Sequence, residues 1–99
     1  MSRSNLEYLL MLQPRDYDSI RQWINDYKSY SKAELIDAYN KSDIVGILGS
    51  KAQATMLVAL RAIFLQVFDS SPIIIKDGLI LSLSGQVQLV DDKWDYIKN

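Results

Sequence analysis

The chain contains no cysteine and no histidine. Without cysteine there are no disulfides to staple a small core and no thiolates to hold a metal. Without histidine the commonest general base and imidazole ligand is missing too. A serine hydrolase would need a lysine base, and "SLSGQ" shares only its final glycine with the G-x-S-x-G elbow. No cofactor and no metal are expected, and the chain reads as a non-enzyme, although Asp, Glu, Lys and Tyr remain chemically competent.

Other absences narrow the class further. Proline and glycine are sparse, at two and four residues, and no repeat, linker or low-complexity segment divides the chain, so 1–99 is read as a single domain. Basic residues are scattered from Arg3 to Lys98, with a net charge of -1, which argues against a strong grip on nucleic acid or on an anionic membrane. The N-terminal "MSRSNLEYLLMLQPRD" has only a short apolar run, and the longest apolar segment is broken by Arg61 and Gln66. No membrane span is expected, and a cytoplasmic address is the default.

What is present is the balance of a soluble globular domain, 48% hydrophobic and 23% charged in 99 residues. A chain this short has a large surface for its core, so its stability is expected to be marginal unless another subunit covers apolar surface. Self-association or a protein partner is therefore the first expectation.

The first two thirds read as helix, about 4–68. In "SNLEYLLML", Ser4 or Asn5 offers an N-cap and Leu6, Leu9 and Leu10 share a helical face before Pro14. "DYDSIRQWINDYKSY" then sets Tyr17, Ile20, Trp23, Ile24, Tyr27 and Tyr30 on one stripe. That stripe reads as core, with Tyr27 and Tyr30 keeping polar tips in water, rather than as a stacking platform for single-stranded nucleic acid. Ser31 and Glu34 hold capping-box positions for a helix that turns Leu35, Ile36 and Tyr39 inward. The longest helix, from about Ser50 to Phe68, is apolar around most of its circumference. Val58 and Leu65 interrupt or flank its polar strip of Lys51, Thr55, Gln66 and Asp69, so a sheet or another subunit should cover them.

The remainder, about 72–97, has β-branched residues and spaced turn signals. A three-residue "KDG" turn would set Ile75 opposite Leu79, and a three-residue "SGQ" turn would set Leu83 opposite Val87. Ile73, Ile75, Leu79, Leu81, Leu83, Val87 and Leu89 then share the core face, while Ile74, Ile80 and Val90 form an apolar row across the polar face. Trp94 has two places: a three-residue "DDK" turn adds it to that row, and a two-residue "DD" turn pairs it with Leu89 on the core face. The expected architecture is α+β, three to four N-terminal helices packed on a small C-terminal antiparallel β-meander.

"VGILGSKAQA" invites comparison with a phosphate loop. A Walker A motif needs G-x-x-x-x-G-K followed by Ser or Thr, whereas Ser50 here separates Gly49 from Lys51 and Ala52 replaces the hydroxyl. A structural reading is simpler: Gly49 ends one helix in the left-handed region and Ser50 caps the next, with Gln53 as its capping-box partner. The carboxylate pairs Asp16/Asp18 and Asp91/Asp92 read as helix-dipole and turn residues rather than metal ligands.

These readings favour a small non-enzymatic protein–protein interaction or regulatory module, with homodimerisation as one form. Its candidate partner-binding residues are Val58, Leu65, Ile74, Ile80, Val90 and Trp94. The alternative is a winged-helix-like DNA-binding regulator, suggested by helices followed by a hairpin, and a small enzyme is a distant third.

Overall fold

A computed structural model of the chain describes residues 7–46, 50–78 and 80–97. The described elements run β1 (Glu7–Leu9), α1 (Asp16–Tyr27), α2 (Lys32–Val45), α3 (Lys51–Phe68), β2 (Ile73–Lys76), β3 (Ile80–Leu83), β4 (Val87–Val90) and β5 (Lys93–Tyr96). The class is α+β, with three helices among the described residues and strands at both ends. One sheet has three strands in the order β1-β3-β2; the other is the β4–β5 hairpin.

α3 is the centre of the core. Leu57, Leu60 and Phe64 on it are fully buried, and Leu35 and Tyr39 of α2, with Ile20 and Tyr27 of α1, pack around them. α3 is long and apolar enough to cross a membrane by length and composition, with a mean hydropathy of 1.3, but here it is the central helix of a globular core. Its start is set by Ser50, whose hydroxyl accepts the Gln53 amide at 3.1 Å, while the Gln53 side chain donates to the Gly46 carbonyl at 2.9 Å. α2 opens on the expected capping box: the Glu34 amide donates to the Ser31 hydroxyl, and the Ser31 amide to the Glu34 carboxylate at 2.8 Å. α2 runs on through "DIV" and stops at Gly46, whose φ of 80° favours glycine. Gly49, expected as the stop of a separate short helix, lies outside the described residues.

The N-terminal segment corrects the first helix expected. "EYL" is a strand antiparallel to β3, with Leu9 opposite Ile80 and Tyr8 opposite Leu81. Beyond it the period of two continues, with Leu9 and Met11 exposed and Leu10 buried. Five residues of "YLLML" fit either period, and a vacant sheet edge decided the matter. Ser4, Asn5 and Leu6, offered as cap and face of the expected helix, lie outside the described residues.

This strand changes the C-terminal part as well. β1 takes the side of β3 where the meander would have placed β4, so Leu83 does not face Val87. The chain instead leaves the sheet at Ser84, whose amide still reaches the Pro72 carbonyl, and among the described residues β4 pairs only with β5. The β2–β3 hairpin also differs in register: Ile75 lies opposite Leu81, and the left-handed residues Asp77 (φ 55°) and Gly78 (φ 69°) sit in the turn. The shift is by two residues, so parity survives and Ile73, Leu81 and Leu83 reach the core as expected. Leu79, the partner expected for Ile75, is outside the described residues.

Helix α2 holds the β4–β5 hairpin largely through hydrogen bonds. The Asn40 side chain donates to the Val87 carbonyl at 2.8 Å and accepts the Val87 amide at 2.9 Å, standing in for a neighbouring strand. The buried Tyr39 hydroxyl donates to the Gly85 carbonyl at 2.7 Å and accepts the Ser84 amide at 3.1 Å. Desolvation, partly offset by hydrogen bonding from Ser84, pushes the Tyr39 phenol up to about 12.

Candidate functional site

Strand alternation gives the three-stranded sheet two unlike faces. Ile73, Leu81 and Leu83 turn toward the core, so Leu9, Ile74, Lys76, Ile80 and Ser82 fall on the other side. On that outer face Leu9 is 56% exposed, Ile80 36% and Ile74 45%. Leu9 lies directly opposite Ile80. Ile74 is the diagonal neighbour of Ile80, since Lys76 is opposite Ile80 and Ile74 opposite Ser82. Three large aliphatic side chains thus run in one line across three strands, facing solvent.

The other expected contact residues lie elsewhere. Val90 is exposed, but it belongs to β4 in the separate hairpin, so the expected Ile74, Ile80, Val90 row does not form across adjacent strands. Leu9, read from sequence as a helical residue, occupies the place beside Ile80 that Val90 was given. Trp94 is opposite Leu89, because Asp91 and Asp92 alone make the turn, both left-handed at φ 52° and 70°. Trp94 packs half-buried on the core and its indole N–H donates to the Ser70 carbonyl at 3.0 Å. On α3, Val58 is half-buried against the core, and Leu65 is 38% exposed.

A concavity of about 570 Å³ opens between the helices. Trp23, Tyr27, Tyr30, Val45 and Met56 are among its lining residues. The Trp23 and Tyr27 rings stack at 5.9 Å, and Tyr30 meets Tyr27 edge-on at 5.0 Å. The expected stripe is thus divided: Ile20 and Tyr27 are buried, Trp23 and Ile24 are half-buried, and Tyr17 and Tyr30 are exposed. Tyr27 does not keep the wet tip assigned to it, and desolvation pushes its phenol up to about 12.

Lys51, the residue that first suggested a phosphate loop, is engaged. Its Nζ donates to the Met11 carbonyl at 2.6 Å and to Asp16 Oδ2 at 3.1 Å. The same carboxylate oxygen accepts the Gln13 amide at 2.7 Å. That backbone bond, outweighing desolvation and assisted by Lys51, holds Asp16 below its ordinary value. These contacts join the start of α3, the start of α1 and the segment after β1. Among the described residues no group of three or more Asp, Glu, His or Cys side chains is arranged to hold a metal. No known protein family, curated protein or solved structure matches the chain.

Proposed function

We propose that the chain is a non-enzymatic, cytoplasmic protein–protein interaction module, with the outer face of the three-stranded sheet as its docking surface. The observation that carries this reading is the solvent-facing line Leu9, Ile80, Ile74. Each of these side chains would gain on the order of 1 kcal/mol or more from being covered. Support over DNA binding comes from α3, which a winged-helix domain would lay in the major groove. Here α3 is the core helix, and Lys51, one of its two basic residues, is spent on Asp16.

The test is capture of partners by the immobilised chain from its native cell extract, repeated with Ile80→Asp and with Leu65→Asp. Binding should be lost with Ile80→Asp and kept with Leu65→Asp, both variants melting as cooperatively as the parent. Retention of every partner by folded Ile80→Asp would sink the reading.

A further inference from the structure

The edge of the same sheet specifies an occupant. β2 is an edge strand, and among the described residues no strand pairs with its outer side. The Ser84 amide donates to the Pro72 carbonyl, and Ile73 lies opposite Leu83. In an antiparallel ladder every second residue makes such inward bonds. Ile74 and Lys76 therefore bond to β3, while the backbone groups of Ile73 and Ile75 point to the open side. The Ile73 amide is already satisfied there, donating to the Ser71 hydroxyl at 3.0 Å. Among the described residues nothing bonds the amide or carbonyl of Ile75, in a strand of three consecutive isoleucines, the type of edge that proteins ordinarily protect.

We propose that β2 pairs antiparallel with β2 of a second copy, across a two-fold axis at Ile75. Only this register exchanges both Ile75 groups between the copies and leaves the Ser71–Ile73 bond intact. Centring on Ile74 would need the Ile73 amide that Ser71 holds, and centring on Lys76 would set two lysines face to face. With the axis at Ile75, Ile74 of each copy lies opposite Lys76 of the other on the outer face. The pairing rests on the interaction reading and extends it. One copy's Leu9, Ile80, Ile74 line is small beside the roughly 800 Å² per partner of a standard interface, and two copies join their lines in a six-stranded sheet.

The full chain is examined by sedimentation from low micromolar to millimolar concentration, alongside Ile74→Lys and Ile74→Glu. Lysine at 74 faces Lys76 of the second copy twice per dimer and should weaken association about tenfold or more; glutamate should strengthen it several-fold at low salt. In the unmodified chain, hydrogen exchange at the Ile75 amide should slow as dimer forms, a readout that needs no variant. Equal weakening by Lys and Glu, or an unprotected Ile75 amide in the dimer, overturns the edge pairing. So does a monomer at every concentration. None of these three outcomes touches the Ile80→Asp experiment, which alone decides the broader reading.

Discussion

The two sheets are held to the helices by different physics. The three-stranded sheet is attached by apolar burial: Ile73, Leu81 and Leu83 enter the core around Phe64 and Leu60. The β4–β5 hairpin puts Val87 into that core, leaves Leu89 and Val90 exposed, and is tied by the Tyr39, Asn40 and Trp94 hydrogen bonds. Burial is non-directional and tolerant of small shifts, whereas a side chain bonded to a strand backbone fixes one geometry and leaves costly orphans if it is removed.

The contrast breaks most severely at Phe64, which touches the aromatic rings of both Tyr39 and Phe68. Phe64→Ala should cost about 3–5 kcal/mol and remove both sheets together in urea unfolding followed by circular dichroism. Asn40→Ala should cost about 2–4 kcal/mol, since it orphans a buried amide and its carbonyl. Its effect should be local: hydrogen exchange should accelerate in β4 and β5 while the amides bonded between β2 and β3 stay protected. Equal acceleration in both sheets would contradict the division.

This division also explains what was readable in the sequence. Apolar periodicity located α1, α2 and α3, and period two placed Ile73, Leu81 and Leu83 on the core face even though the turn was misplaced by one residue. The hairpin's attachment was not readable, because nothing local distinguishes an asparagine that bonds a distant strand from one facing solvent. The larger error was nonlocal. With "EYL" as helix, β3 has a free side that β4 would fill, so one ambiguous segment displaces a strand distant in sequence. On the candidate surface, Ile74 and Ile80 are legible in the sequence and Leu9 is not, because its face depends on that same segment.

A smaller effect concerns the joint between β1 and the helices. Asp16 has its acidity raised in the folded state, so it stays ionised where the unfolded chain takes up a proton. Its contribution is present above the ordinary value of 3.8 and is lost as pH falls through the lower folded value. Asp16→Asn should lower the melting temperature at pH 7 and flatten its decline below about pH 4. An unchanged acid slope would remove Asp16 from the joint.

The smallest change belongs to the hairpin tip, where Asp91 and Asp92 both have positive φ. A two-residue turn of this kind prefers glycine second. Asp92→Gly should stabilise by about 0.5 kcal/mol, because the left-handed strain relieved exceeds the exposed Lys32 ion pair lost. Chemical denaturation would detect the gain as a higher midpoint with unchanged slope.

The pairing of Leu9 with Ile80 bears on how the molecule is made. A ribosome delivers β1 well before β3, its partner in the sheet, and α1, α2 and α3 emerge in between. The helices have local contacts to make while the chain is still growing, but β1 has nothing to join until residues around Ile80 have left the exit tunnel. Closure of the sheet is therefore a late step that waits on a long loop, the kind of contact that slows folding. In that interval the uncovered flank of α3 and the bare "YLLML" segment are what a chaperone would meet.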